Sequence, residues 1–287
     1  MDICIDPIDV SAAGHDMFSL IASRALSIEH LEGSSTDGDM GLHWLYALPV
    51  LVNLQHLSWH MAANTFAMPS RLSCSLPPNL KSFHLTVQAT VWQQRDPLQL
   101  SHLASTPVGR AVTDLHVQLP TTRAIVSLES QESGFLHLSH LDVGCYKISD
   151  HLSASCLTHL SLALCGGFAW QECFGTITSL TDVSITIVED PAAGRGSLTF
   201  WDKGIPNLGA SLFANIKRLY IDVPVLKESG MFKGLKPGVL QDLRFRVYYS
   251  RVSCFCLDHL KDTPGYGWSI DFDKSSEVSI QVVGRAS

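Results

Sequence analysis

The sequence has few charged residues and no excess of positive charge. Charged residues make up 16% of the 287 residues, and the formal net charge is −7. Proteins that bind nucleic acid usually concentrate Lys and Arg on one surface, and anionic membranes attract the same side chains. Because this chain has no such surplus, we expect neither a nucleic acid nor a membrane as its partner.

Long apolar runs and a basic leader segment are also missing. No segment approaches the roughly 20 apolar residues that a membrane-spanning helix needs, and Asp2 and Asp6 interrupt the first apolar residues. None of the eight cysteines belongs to a Cys-x-x-Cys pair. In the absence of a secretory leader, we expect an intracellular protein, cytoplasmic or nuclear, whose cysteines are reduced thiols.

Sequence motifs of the common enzyme classes are absent. The chain has no Gly-x-Ser-x-Gly, no Gly-x-x-x-x-Gly-Lys, no Gly-x-Gly-x-x-Gly and no His-Glu-x-x-His. These motifs position a nucleophile, a phosphate group, a dinucleotide and a catalytic zinc ion, respectively. We therefore expect a protein that is not an enzyme, with no catalytic residues and no cofactor. A hydrolase or transferase on an irregular β fold is the alternative.

What the chain does contain is a short apolar pattern that recurs eight times. An apolar residue is followed by two variable residues, a second apolar residue, one variable residue and a third apolar residue. The copies begin at Leu54, Leu80, Val112, Leu138, Leu157, Leu180, Ile216 and Leu240. Successive copies are separated by 26, 32, 26, 19, 23, 36 and 24 residues. Most of these steps fall within the range of about 20–29 residues that leucine-rich repeats have.

The pattern predicts one half-buried strand in each copy, because apolar residues alternate with variable ones. A single repeat cannot cover its own apolar face, so stacked repeats share a core and their strands form a parallel sheet. We therefore predict an α/β solenoid, a leucine-rich-repeat-like curved parallel sheet with loops and short helices on the outer side. An all-β sandwich with alternating strands is the alternative.

Residues 1–50 lack the pattern and are predicted to form an N-terminal helical cap. Apolar residues between positions 17 and 31 have nearly helical spacing, and residues 42–48 resemble a second short helix. A cap of this kind would cover the exposed end of the repeat core.

The rest of the chain is predicted to continue as the same single domain, over residues 1–287. Residues 51–250 form the repeats, and residues 251–287 form a C-terminal cap. Within this cap, the segments 269–272 and 278–282 alternate as closing strands do.

The variable positions of each strand should face the concave side of the predicted sheet. In the last two copies these positions hold Tyr220, Asp222, Arg244 and Arg246, with Tyr248 one step further along its strand. Tyr and Arg are enriched in the residues that contribute most to protein interfaces. We therefore predict that a protein partner binds at Tyr220, Asp222, Arg244, Arg246 and Tyr248.

The thirteen histidines raise the question of a metal site. His56, His60, His84 and His116 fall on neighbouring repeats, and residues 254–259 hold two cysteines and a histidine. Structural zinc sites need four convergent ligands, usually with close local spacing. The four histidines are spread over neighbouring repeats with no carboxylate or thiol partner at a fixed offset, and residues 254–259 supply only three ligands, so we predict no metal site. We expect solvated or hydrogen-bonded histidines and, over residues 251–257, a plain strand that buries its thiols.

The starts of several repeats resemble those of a known class of protein. Residues 53–57, 78–85 and 215–219 read NLQHL, PNLKSFHL and NIKRL. Across about residues 50–250, the chain resembles the irregular leucine-rich repeats of fungal F-box-like proteins. The resemblance implies a protein-protein interaction module that recognises substrates for a ubiquitin ligase. That role also uses an N-terminal F-box that starts with a Leu-Pro-x-Glu-type sequence, where this chain has DPIDV at 6–10.

Overall fold

The structure is a computed structural model that describes most of the repeat region. The described residues are 2–5, 25–35, 48, 51–66, 77–92, 98–99, 111–120, 124–127, 135–149, 151–165, 173–174, 176–188, 215–223, 241–247, 267–272 and 278–283. The predicted strand at residues 251–257 and the predicted contact residue Tyr248 lie outside them.

The described residues are mostly β-strand, with little helix. Helical residues comprise the 3-10 turn Ala25–Ser27 and short fragments at 48, 111 and 173–174. The strands are β1 Asp2–Ile5, β2 His30–Ser35, β3 His56–Phe66, β4 Ser82–Trp92, β5 Leu98–Gln99, β6 Asp114–Gln118, β7 Ile125–Ser127, β8 His140–Cys145, β9 Lys147–Ser149, β10 His159–Leu164, β11 Asp182–Ile187, β12 Arg218–Val223, β13 Asp242–Val247, β14 Gly267–Phe272 and β15 Val278–Val283.

Twelve strands form one sheet, in the order β1-β2-β3-β4-β6-β8-β10-β11-β12-β13-β15-β14. Every neighbouring pair from β1 to β13 is parallel. The short strands β5, β7 and β9 form a second parallel sheet. The predicted parallel sheet is thus confirmed for the eight repeat strands. A β-sandwich is built from antiparallel sheets, so that alternative does not fit this topology.

The register of the sheet follows the apolar pattern from repeat to repeat. Leu57 pairs with Phe83 at the second apolar position, and Trp59 pairs with Leu85 at the third. The same alignment continues across all eight repeats, as far as Phe245 on β13. Each copy of the pattern is therefore one strand together with the residues that lead into it.

The aligned apolar residues form the core on one side of the sheet. First-position side chains are at most 3% exposed at Leu54, Leu80, Val112, Leu138, Leu157, Leu180 and Ile216. Seven side chains that the pattern predicts to be buried are at most 2% exposed, namely Leu57, Leu85, Leu115, Leu141, Leu160, Ile185 and Leu219. The side chain of Phe245 is outside the described part. Burial of one such side chain stabilises a fold by ~1.5–3 kcal/mol, so these rows are a main source of stability.

The N-terminal region contributes strands where we predicted helices. β1 pairs with β2, and β2 pairs with β3 in a register that aligns Leu31 with Leu57. The helical prediction is therefore wrong at the described end of its segment. Ile28 and Leu31 are both buried, because they occupy the first and second apolar positions of a further repeat. Of the second predicted helix, only Leu48 is described, and it is buried.

Gly33 explains why this additional repeat does not show the full apolar pattern. Gly33 stands at the third apolar position and pairs with Trp59 on β3. A Cβ atom on Gly33 would overlap the six-membered ring of Trp59, which is 3% exposed. The tryptophan ring thus fills the space that an apolar side chain of β2 would otherwise occupy.

Hydrogen bonds join neighbouring repeats just before each strand. The carbonyl of Lys81 accepts bonds from the backbone N–H groups of Thr113 and Asp114, at 2.8 and 3.2 Å. Hydroxyl groups of this row also donate to the carbonyl of the preceding repeat, from Thr113, Ser139, Thr158 and Thr181. Amide side chains one residue before the first apolar position donate in the same direction, from Asn53, Asn79 and Asn215. These bonds satisfy backbone groups at the start of the sheet.

The C-terminal segments end the parallel series. β13 pairs antiparallel with β15, and β15 pairs antiparallel with β14. The prediction of closing strands at 269–272 and 278–282 is confirmed. The division of the chain into one solenoid with two caps stays a prediction.

Candidate functional site

The face of the sheet opposite the core carries three columns of variable side chains. We call this the polar face. The strand-start column lies immediately before the second apolar position and comprises His30, His56, Ser82, Asp114, His140, His159, Asp182, Arg218 and Asp242. The middle column, two residues further, comprises Glu32, Ser58, His84, His116, Asp142, Ser161, Ser184 and Tyr220. A third column follows, from Ser34 and His60 to Asp222. Arg244 and Arg246 occupy the corresponding register positions on β13.

A depression with a volume of about 540 Å³ lies in the polar face across β4 to β13. Its lining mixes imidazoles and carboxylates with one guanidinium and one phenol, contributed by His84, Asp114, His116, His140, Asp142, His159, Asp182, Arg218, Tyr220 and Asp242. The small side chains of Ser161 and Ser184 line the middle of the depression. Since neighbouring strands are about 4.8 Å apart, seven strands give the depression a length of roughly 29 Å.

Three histidines in the depression each lie beside a carboxylate of the next strand. His116 Nδ1 is 2.9 Å from Asp142 Oδ2, and these two residues pair directly in the register. His84 Nε2 is 3.5 Å from Asp114 Oδ2. His159 Nε2 is at the same distance, 3.5 Å, from the carboxylate of Asp182. The parallel register repeats one arrangement along the sheet, with the imidazole on one strand and the carboxylate on the following one.

Two further pairs of histidines stack across neighbouring strands. The rings of His30 and His56 have centroids 4.3 Å apart and planes 8° apart. The rings of His140 and His159 have centroids 4.2 Å apart and planes 15° apart. Burial, assisted by the neighbouring imidazole, lowers the pKa of His56 and of His159.

Hydroxyl groups at the strand starts orient two of these rings. The Ser139 hydroxyl donates to a backbone carbonyl and lies 2.9 Å from His140 Nδ1. The Thr158 hydroxyl donates similarly and lies 2.8 Å from His159 Nδ1. Because each hydroxyl proton is directed at a carbonyl, the oxygen accepts from Nδ1–H. In a neutral His140 ring, this leaves Nε2 as an acceptor.

The surroundings shift the protonation of these groups in opposite directions. The hydrogen bond and charge of Asp142 raise the pKa of His116, although burial opposes the change. Burial lowers the pKa of His159, assisted by the neighbouring imidazole and by Arg218. For Asp182, burial acts to raise the pKa, but hydrogen bonds from Thr181 and Arg218 outweigh it and lower the pKa.

Four of the five predicted contact residues lie on strands that the structure describes, and Tyr248 lies outside the described residues. Tyr220 lines the depression, and its hydroxyl donates to Asp222 Oδ2 at 3.2 Å. Asp222, which we expected to face solvent, is 5% exposed and therefore belongs to the buried residues. Arg244 and Arg246 align with Tyr220 and Asp222 in the register of β12 and β13. The role of these residues in binding stays a prediction.

The sequence analysis did not identify the strand-start column as part of the polar face. We considered only the variable positions after the second apolar residue, whereas the one immediately before it lies on the same face, because side chains alternate. The signal was present in the sequence, since this position holds His or Asp in His30, His56, Asp114, His140, His159, Asp182 and Asp242.

Metal ligands and thiols do not converge in the part of the chain that the structure describes. Among those residues, no group of three or more His, Cys, Asp or Glu side chains could hold a metal ion. The described cysteines Cys145, Cys156, Cys165 and Cys173 are free thiols. Burial raises the pKa of the Cys145 thiol to about 12, which makes it a poor nucleophile.

No protein-family model and no curated protein sequence matches this chain.

Within the described residues, no helix has the length and apolar composition required to cross a membrane.

Proposed function

We propose that this chain is an irregular solenoid of the leucine-rich-repeat type that binds a protein partner on its polar face. The parallel sheet, its strand order and its repeat-to-repeat register support this architecture. Each repeat adds one strand, so the polar face grows into a long surface on which side chains are spaced at regular intervals. Extended surfaces of this kind are what repeat proteins use to bind partners.

The observation that carries the proposal is the open depression across seven strands. Its length of roughly 29 Å suits a polypeptide segment better than a small molecule. Half-buried polar side chains line it from end to end, and they are already held in place by neighbouring strands. A partner would therefore meet an ordered surface, which reduces the entropic cost of binding.

The C-terminal part of the polar face extends this surface. Tyr220 lines the depression, and the register brings Arg244 and Arg246 next to it on β13. We propose that these residues, together with Tyr248, contact the partner at this end. Arg offers bidentate hydrogen bonds, and Tyr offers contact area at a low entropic cost.

A hydrolase is the second candidate, because imidazoles and carboxylates do converge in the depression. The His116–Asp142 pair has the geometry of a base with its orienting carboxylate. One observation favours binding instead. At His84, Ser82 and Asp114 both lie beside Nε2, whereas a Ser-His-Asp relay uses opposite nitrogens.

A narrower role follows from the resemblance to F-box-like proteins. We propose that the bound partner is delivered to a ubiquitin ligase. In that role, the partner should accumulate in cells from which this chain is depleted. Proteasome inhibition should then remove the difference in partner level between depleted and control cells. The N-terminal residues that would contact the ligase lie outside the described residues.

Site-specific photo-crosslinking tests the proposed binding face. A photoreactive phenylalanine replaces Ser161, which is half-buried in the depression, and in a matched variant it replaces the exposed Leu136, which does not line it. After irradiation in cells, we expect a discrete adduct with a partner protein from position 161 and none from position 136. Equal adducts from both positions, or no adduct from position 161, would contradict the proposed face.

A direct assay of hydrolysis distinguishes the hydrolase from the binding protein. Purified chain is incubated with activated esters and peptides, beside His116→Ala and Asp142→Asn variants. Turnover that is lost in both variants would favour a hydrolase, whereas a rate equal to the buffer rate favours a binding protein.

A further inference from the structure

The depression in the polar face differs in charge balance from the rest of the chain. The whole sequence has 27 acidic and 20 basic residues. The lining of the depression has four aspartates and one arginine. Even where the imidazole of His116, whose pKa Asp142 raises, carries a charge, the four aspartates outnumber the cations, so the depression has an excess of negative charge. A phosphate-rich partner would be repelled here, and a cationic one attracted.

The carboxylates of Asp114 and Asp142 are accessible to a ligand. The side chains of Asp114 and Asp142 are 43% and 38% exposed. An ionised carboxylate offers about four acceptor positions. The histidines beside these two groups use only part of that capacity, and they leave oxygens directed at the depression.

Asp182 contrasts with these two residues. Its side chain is 17% exposed, and it is bonded to Arg218 and Thr181. Its negative charge is therefore compensated within the protein. Asp114 and Asp142, which are more exposed, stand on the adjacent strands β6 and β8, and each lies beside a histidine of the preceding strand.

Histidine nitrogens add further acceptors to the same surface. In the neutral tautomer that the Ser139 hydroxyl favours, Nε2 of His140 is a hydrogen-bond acceptor. His140 pairs directly with Asp114 in the register of β6 and β8. Carboxylate oxygens and an imidazole acceptor thus lie close together. Guanidinium and ammonium groups, which only donate, complement such a set.

From this complementarity we propose that the partner presents a basic, extended segment to the depression, and that Asp114 and Asp142 bind its Lys or Arg side chains. The inference rests on the proposed function and specifies the chemistry of the partner. An extended chain rises about 3.3 Å per residue, so roughly nine residues span the depression. The segment crosses the strands, and its basic side chains meet the carboxylates as it passes β6 and β8.

Fluorescence anisotropy with a defined probe tests the proposal. The probe is a labelled nonapeptide of alternating Arg and Ser, and its counterpart has Glu in place of Arg. The full chain should bind the Arg peptide at physiological ionic strength and should not bind the Glu peptide. The double variant Asp114→Asn, Asp142→Asn should weaken binding of the Arg peptide by on the order of tenfold.

A matched variant controls for the net negative charge of the chain. Glu29→Gln, Glu32→Gln makes the same change in charge at exposed residues outside the depression. Glu32 lies on the polar face, but on β2, three strands or roughly 14 Å from Asp114. It should alter the affinity by less than about twofold, because distant exposed charges are screened. Asp114→Glu, Asp142→Glu keeps the charge and should retain binding. Circular dichroism of every variant verifies that the fold is unchanged.

Three results would overturn the inference. The first is equal weakening by both neutralising double variants, which would indicate general electrostatic attraction. The second is no binding of the Arg peptide by the folded wild type. The third is self-association by analytical ultracentrifugation that the Asp114→Asn, Asp142→Asn variant abolishes, because a second copy would then occupy the face. If the crosslink from position 161 persists while the Arg peptide fails to bind, the proposed function stands and only the basic segment is wrong.

Discussion

His116 and Asp142 form the closest imidazole–carboxylate pair on the polar face, with 2.9 Å between Nδ1 and Oδ2. They lie side by side on β6 and β8, so the parallel register alone brings them together. The carboxylate stabilises the protonated imidazole and raises its pKa. His159, with its ring stacked on His140, has its pKa lowered by burial and neighbouring positive charge.

NMR titration of the histidine ring signals tests this contrast. His116 should titrate above the ordinary value of about 6.5, and His159 below it. Because the pKa of His116 is raised on folding, its pair contributes stability below about pH 6.5, which is lost as the pH rises through the folded pKa. For His159 the sign is opposite, and stability falls as the pH drops below about 6.5. In Asp142→Asn, His116 should titrate lower and His159 should not change. If the pKa of His116 stayed above the ordinary value in that variant, Asp142 would not be the cause of its rise.

Leu160 tests the core. Its side chain is 2% exposed and lies at the second apolar position of β10. Leu160→Ala should lower the free energy of unfolding by roughly 2–5 kcal/mol, as measured by urea denaturation. Ser161→Ala, at the half-buried neighbour on the other face, should change it by less than about 0.5 kcal/mol. A comparable small loss at Leu160 would place it outside the core.

Gly33 and Trp59 test the additional N-terminal repeat. Gly33→Ala adds a methyl group against the buried indole ring and should cost about 1–3 kcal/mol of unfolding free energy. Trp59→Leu should also destabilise, because it leaves a cavity. In the double variant, the two losses should be less than additive, since the smaller side chain makes room for the methyl group. Additive losses would show that the two residues are not in contact.

Arg244 and Arg246 test the C-terminal end of the binding face. The double variant Arg244→Glu, Arg246→Glu should keep the fold and should reduce partner recovery in pull-downs several-fold, because charge reversal introduces repulsion. Lys147→Glu, Lys217→Glu, at exposed residues outside the depression, makes the same charge change and should leave recovery unaltered. Unchanged recovery for the arginine variant would move the contact towards the histidines of the N-terminal half. Unfolding of that variant would mean that the register of β13 is shifted by one residue.

Thiol labelling tests the cysteines. Peptide-resolved alkylation of the native protein should modify the exposed Cys156 quickly and the buried Cys145, Cys165 and Cys173 only after unfolding. The raised pKa of Cys145, about 12, keeps it as the unreactive thiol at neutral pH. After unfolding under argon, all eight cysteines should be labelled without a reductant. Any cysteine that requires reduction first would contradict the expected reduced state.

The spacing of apolar residues by itself determined the series of strands. The second and third apolar positions align across eight repeats, as the pairing of Leu57 with Phe83 shows. This was predictable because a strand with one buried face needs alternation, and a one-residue slip would expose every buried side chain. The repeat at Ile28 and Leu31 was not recognised, since Gly33 occupies its third position and the apolar side chain that fills the space belongs to Trp59, on another strand.

Only the tertiary structure decided the chemistry of the polar face. The sequence shows His116 and Asp142 as residues 26 positions apart. Nothing local links them, and their contact exists because the repeats stack in register. The same stacking determines which carboxylates are compensated, as at Asp182, and which remain accessible, as at Asp114. Side-chain identity is a property of the sequence, but charge balance and protonation depend on neighbours that only the packed sheet supplies.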